Sequence, residues 1–251
     1  MYFKEIFLLL LLAHVIGDFY LQTEKMAENK TDHVRWVLIH CLVYWAAFVI
    51  VILPVFNWSL VLYGFLAALL HMGIDMAKYA YTSLSKKKVR ALRREQYIFL
   101  TDQLLHISVL FFMAYYYTVH VASLPLSHSL TGIFSVTGLS KTACISWITA
   151  LLLIHKPVNI AISKILIVFK PENKDADREQ VHNAGRLIGT IERLIMLIFI
   201  SLGQYAAIGL VLTAKSIARY DKIVKEPAFA EYYLLGTLLS TVSVIIISFV
   251  L

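Results

Sequence analysis

The sequence predicts an all-α fold, a polytopic bundle of about seven transmembrane helices. Three observations lead there. Hydrophobic residues make up 59% of the 251-residue chain, and mean hydropathy is +0.73, whereas a soluble domain is about half apolar. The excess is gathered into long runs, long enough to cross a bilayer core. Polar and basic stretches separate those runs, as loops between spans do.

Taken in order, span one covers about Ile6 to Gln22, and the polar link Thr23 to Arg35 follows. Span two runs from about Trp36 to Leu53 and stops at Pro54. Asn57 and Trp58 mark a tight interfacial turn before span three, about Ser59 to Tyr79. The most basic stretch comes next, with Lys86, Lys87, Lys88, Arg90, Arg93 and Arg94. Span four is about Tyr97 to Tyr117, closed by an aromatic belt at Tyr115 to Tyr117. Val119 to Lys141 reads as a longer link, and span five, about Thr142 to Val168, as a helix interrupted at His155, Lys156 and Pro157. Lys170 to Gly185 is the most polar stretch and reads as aqueous. The last span is about Tyr232 to Val250.

Residues 186–219 need a separate argument. As one helix they would measure about 50 Å, against a hydrocarbon core of roughly 30 Å. The basic links after spans one, three and five place those links in the cytoplasm and the N-terminus outside. A single crossing from Arg186 would carry Lys215, Arg219, Lys222 and Lys225 to the wrong side. A broken helix or re-entrant hairpin, bent near Ser201 to Gln204, returns them. The expectation is one integral domain over 1–251 in the bacterial inner membrane. A four-span half (1–118) bears the histidines and aspartates, and 142–251 supplies the C-terminal spans.

Composition also narrows the function. The net charge of +7 lies in loops between apolar runs, so it points to anionic membrane lipids as partners, not to nucleic acid. Cys41 and Cys144 form neither a disulfide framework nor a paired metal motif. The N-terminal apolar segment lacks a small-x-small cleavage site and carries polar residues, so it reads as a retained span. No P-loop, dinucleotide-binding glycine pattern or nucleophile elbow is present. The chain could assemble as a homo-oligomer.

Within the spans, polar groups recur at fixed spacing. His14, Asp18 and Gln22 lie four apart in the first span, and helical periodicity puts them in one stripe. His71 and Asp75 repeat the spacing in span three, Asp102 and His106 in span four, and His40 stands in span two. Counted from the nearest link, all seven ionisable groups lie about 6–12 Å from the same membrane face. An ionisable group in a span costs several kcal/mol, so such groups face a cavity and one another. Imidazole and carboxylate are ligands for zinc and similar divalent ions. The expected metal ligands are His14, His40, His71, Asp75 and His106, with Asp18 or Asp102 as general base and Gln22 polarising a substrate. The bland alternative, pair by pair, is a helix–helix hydrogen bond or a carboxylate fixing a histidine tautomer.

A second group lies near the C-terminus: Arg186, Glu192, Arg193, Lys215 and Arg219. Ion pairing inside the membrane accounts for it first. The functional reading is a cationic pocket for a phosphate or carboxylate headgroup, with Arg186, Glu192, Lys215 and Arg219 as substrate-binding residues.

At HVIGDFYLQTEKMAENK the chain resembles a bacterial integral-membrane family known only as a domain of unknown function. The resemblance runs through His14, Asp18, Phe19, Gln22 and Thr23, an H-x-x-x-D-F-x-x-Q-T pattern, and continues at His40 and at His71 with Asp75. The later stretches GRLIGTIERL, GLVLTAKSIARY and AEYYLLGTLLS look like those of longer members. That family supplies no activity. In ligand types alone the arrangement is similar to intramembrane metal hydrolases of the ceramidase-like superfamily, although the chain lacks their H-x-x-x-H pair and serine motif. The expected function is metal-dependent hydrolysis of a lipid or amphiphile at the cytoplasmic leaflet. The alternatives are a proton- or ion-coupled transporter and a non-catalytic assembly module.

Overall fold

Helix α1 (Phe3–Val15) is apolar around its whole circumference, which is the mark of a helix enclosed by others. Ile6, Leu8, Leu10, Ala13 and Val15 are all buried. The computed structural model describes residues 2–55, 57–84, 92–121, 128–170 and 179–251. Among these the fold is all-α. After α1 come a π-helical turn (Ile16–Leu21), α2 (Glu24–Asn29), α3 (Val34–Ile52), α4 (Trp58–Leu84) and α5 (Leu92–His120). Then follow α6 (His128–Thr137), α7 (Lys141–Leu166), α8 (Glu179–Ser201), α9 (Tyr205–Ile217), α10 (Tyr220–Lys225) and α11 (Pro227–Ser248).

Among the described residues, five segments are long and apolar enough to cross a membrane: Val34–Val55, Trp58–Ser83, Arg93–His120, Lys141–Phe169 and Pro227–Ser248. Their outward faces carry exposed Leu42, Ile50, Leu62, Leu104 and Ile246. Apolar solvent accepts such surfaces and water does not, so the chain is compatible with a multi-pass membrane protein. The other two of the expected seven fall on α1 with its π turn and on the α8–α9 pair, which are not among these five segments.

The chain divides into two compact units, Met1–Thr149 and Ala150–Leu251, with the division inside α7. In the first, α1 packs on α3 and α5, and α4 packs on the same two helices. Gly64 lets α4 approach α3 closely, because a Cβ there would stand 1.7 Å from the Phe48 ring. In the second, α11 packs on α8 and α10. The chain reverses at Gly203, which has φ +69°, and α9 returns along α8, bringing Lys215 back to Glu192. This is the hairpin expected from the positive charges.

Three local expectations change. Helix α7 runs unbroken through Pro157. The proline removes one N–H donor from a 26-residue helix, and a single missing bond does not end it. The link Val119 to Lys141 contains α6. Gln22 has left the helix, with φ −70° and ψ 111°, so the stripe His14–Asp18–Gln22 is helical only through Asp18. The basic residues Lys86, Lys87, Lys88 and Arg90 lie outside the described residues.

Candidate functional site

Five elements of the first unit each contribute to one buried cluster. Helix α1 supplies His14, α3 supplies His40, α4 supplies His71 and Asp75, and α5 supplies Asp102 and His106. Asp18 comes from the π turn. Such a turn holds an extra residue, and here Gly17, Asp18 and Phe19 are all buried. Gly17 makes the approach to α3 possible, since a Cβ there would stand 2.8 Å from Tyr44 Cδ2.

Asp18 is the hub. Its Oδ1 lies 3.2 Å from His40 Nε2 and 3.3 Å from His71 Nε2. Its Oδ2 lies 3.8 Å from His14 Nε2 and 4.0 Å from His106 Nδ1. The His40 and His71 Nε2 atoms are 3.2 Å apart. Asp75 Oδ2 stands 3.4 Å from His40 Nε2 and 3.6 Å from His71 Nε2. Donor atoms of Asp75, Asp102 and His106 also fall within 4.8 Å of one another. All seven groups singled out from spacing and depth therefore meet in one place, and all are buried.

Rings hold the imidazoles in position. His71 lies between Tyr44, stacked at 3.8 Å, and His106, stacked at 4.2 Å. Many polar atoms are nonetheless left over. His14 and His106 make no ring-nitrogen hydrogen bond among the described residues, and neither do His40 Nδ1, His71 Nδ1, Asp75 Oδ1 or Asp102 Oδ1. Buried donors and acceptors in such number call for an occupant that satisfies them, either water or an ion.

Two lysines cap the cluster, and neither was singled out in the sequence. Lys30 Nζ donates to Asp75 Oδ2 at 2.8 Å and to Gln22 Oε1 at 3.2 Å. Lys78 Nζ donates to Asp102 Oδ2 at 2.8 Å. Helix α2 sets Lys30 in place: Thr23 caps its first turn by accepting from Met26 N, Met26 is buried, and Lys30 closes the helix. Burial pushes the Lys30 ammonium pKa down, but the Asp75 and Asp18 carboxylates outweigh that and hold it above the ordinary lysine value. With neutral imidazoles, three carboxylates face two ammonium groups, so the cluster carries one net negative charge. A signal for Lys78 existed, since it follows Asp75 by three residues, and Tyr44 follows His40 by four. Lys30 sits in an irregular link, where periodicity gives no guidance.

The second unit brings Arg186, Glu192, Lys215 and Arg219 to the lining of one open cavity of about 1210 Å³. Glu192 Oε2 and Lys215 Nζ pair at 2.6 Å. Arg193, left among the ion pairs in the sequence reading, is the buried member of the group. Its Nε donates to Ile154 O at 2.9 Å, and its Nη2 donates to Asn159 Oδ1 at 2.7 Å.

No curated protein and no solved structure matches the chain. One family does match, over residues 6–135, described as protein of unknown function (DUF3307). The matched region carries every member of the histidine–aspartate cluster and covers just over half of the sequence, and the chain belongs to that family.

Proposed function

We propose that the first unit binds a divalent cation, zinc by its donor types, and acts as a hydrolase on a membrane lipid or amphiphile. One observation carries the reading: His40 Nε2, His71 Nε2 and Asp18 Oδ1 form a triangle with edges of 3.2, 3.2 and 3.3 Å. Donors at 2.0–2.1 Å from a tetrahedral zinc ion are separated by roughly 3.3 Å. Asp75 would add a fourth ligand, with His14 and His106 around the other Asp18 oxygen. Asp18 thereby moves from general base, its expected role, to ligand. The net negative charge of the cluster favours a cation, and a divalent one would leave a single positive charge to attract an anionic group.

When bound, the ion would supply Lewis acidity toward an acyl or phosphoryl oxygen and would acidify a water molecule. The chain's own residues do the rest. Asp102 Oδ1 is buried with no hydrogen bond among the described residues, so it can accept a proton, while Lys78 fixes the other oxygen. Lys30 and Gln22, joined at the rim, can orient a polar headgroup. The positive-inside bias puts that rim at the cytoplasmic leaflet of the inner membrane. Tyr44 and His106 keep the His71 ring from turning.

Metal analysis of the purified protein is the direct test. About one zinc equivalent per chain is expected, lost in His71→Ala and on chelation, with a fall in melting temperature because a ligand bound only to the native state stabilises it. Metal-free protein whose melting ignores both chelator and added zinc would sink the reading. One observation favours a rival occupant. Two Nε2 atoms at 3.2 Å can share a proton, which would make the cluster part of a proton path. Proton flux in sealed liposomes, abolished by His40→Ala and indifferent to chelator, would select that alternative.

A further inference from the structure

The second unit contains a buried cation that no carboxylate touches among the described residues. Arg193 is 2% exposed, and the partners of its guanidinium are neutral. They are the Ile154 carbonyl, the Asn159 amide oxygen, and the Thr190 and Ser240 hydroxyls at 3.3 and 3.4 Å. Its acidic neighbour Glu192 is engaged by Lys215 at 2.6 Å. A charge taken out of water without a counter-charge is costly, and more so within an apolar helix bundle. Gly189 leaves the guanidinium room to lie along its own helix, since a Cβ there would stand 3.2 Å from Nη1.

A second observation points into the same cavity. Tyr233 and Thr237, one turn apart on α11, both line it, and their hydroxyls are buried without a hydrogen bond among the described residues. Two hydroxyl donors without partners among the described residues therefore accompany a guanidinium held only by neutral groups there. Toward the opening, Arg186 and Arg219 are exposed. Among the described residues the lining carries five basic residues against two acidic ones, Glu192 and Asp221, so an entering anion meets a net positive field. Ile162, Leu166 and Phe229 line the same space, giving it an apolar side.

We propose that this cavity binds a phosphate monoester group, with Arg193, Tyr233 and Thr237 as the deep donors and Arg186 and Arg219 as the outer cations. A monoester is favoured over a carboxylate because it offers three acceptor oxygens and up to two negative charges to a site rich in donors and cations. The group could arrive as inorganic phosphate or as the headgroup of phosphatidic acid, whose acyl chains the apolar side would accept. The site shares no residue with the histidine–aspartate cluster and does not depend on a metal there.

The test uses the full chain in phosphatidylcholine nanodiscs. One arm titrates inorganic phosphate and follows the melting temperature. The other replaces a tenth of the lipid by phosphatidic acid or by phosphatidylglycerol, a phosphodiester, and measures the lipid retained on the purified protein. Wild type is expected to prefer phosphatidic acid over phosphatidylglycerol by about tenfold. Arg219→Gln and Tyr233→Phe are expected to remove most of that preference without lowering the ligand-free melting temperature. Arg193→Gln gives the larger loss but can misfold, so the two milder variants carry the conclusion. A saturable response to inorganic phosphate alone, weakened by the same variants, supports the site with a soluble ligand. Equal retention of all three lipids with no saturable phosphate response, or binding unchanged in both milder variants, overturns the proposal. His71→Ala should leave either positive result intact, which keeps this outcome independent of the metal question.

Discussion

Lys30 decides the charge balance of the first unit. Its ammonium sits 2.8 Å from Asp75, whose side chain has no exposed surface. Removing one partner of such a pair leaves a bare buried charge, which costs about 3–5 kcal/mol. Lys30→Met is therefore expected to lower thermal stability sharply. Lys30→Met with Asp75→Asn should recover much of the loss, because the pair then disappears together. A melting curve in which the single variant matches wild type would show that Asp75 needs no cation at that position. The pH dependence has a definite sign. The folded pKa of Lys30 is raised, so its contribution is complete below the unfolded value of about 10.4 and fades only as pH climbs through the higher folded value. The stability gap between wild type and Lys30→Met should hold steady from about pH 6 to 9 and narrow only in stronger alkali. A gap that closes already near pH 8 would contradict the raised value.

At the scale of elements, the π turn after α1 carries Asp18 to the cluster. It buries Gly17, Asp18 and Phe19 in sequence and presses Gly17 against Tyr44, which in turn stacks on His71. Gly17→Ala should push Tyr44 aside and loosen the His71 ring, at about 1–3 kcal/mol of stability. Zinc affinity in the proposed centre should fall by about tenfold or more, as when the groups that orient a ligand are lost. Gly73→Ala is the control: a Cβ there meets nothing within 4 Å, so zinc affinity should not change, and stability should hold or rise by up to about 1 kcal/mol with helix propensity. Isothermal titration of zinc into both variants distinguishes them, and equal affinities would remove Tyr44 from the argument. The same element marks where reading the sequence ran out. His14, His40, His71, Asp75, Asp102 and His106 were legible because i,i+4 spacing and depth from a link are arithmetic on a regular helix. The π turn was not, since the switch from i+4 to i+5 bonding leaves no residue pattern, and Gln22 was consequently assigned to a stripe it does not join. Lys78 resembled an ordinary basic residue near a span end. Arg193 was seen, but only packing reveals that its acidic neighbour Glu192 is already taken by Lys215.

For the whole molecule, the two compact units divide the proposed chemistry cleanly. Every member of the histidine–aspartate cluster, together with Lys30, Lys78 and Tyr44, falls in Met1–Thr149. The family match, 6–135, lies in the same unit. The described residues that line the Arg193 cavity all fall in Ala150–Leu251. If the metal centre is built from the first unit's own packing, its affinity does not need the second. A chain ending at Lys170 keeps α7 whole, including the contacts of Thr142 and Lys141 with Glu5 on α1. That fragment, purified in detergent, is expected to hold the same zinc equivalent as the full chain and to melt at lower temperature when chelated. It should show no preference for phosphatidic acid, because Arg193, Tyr233 and Thr237 are gone. Circular dichroism decides whether a negative result is informative. A helical, cooperatively melting fragment without zinc would mean that the second unit completes the centre. An unfolded one would mean that α1 to α5, although mutually packed, lack the burial to stand alone.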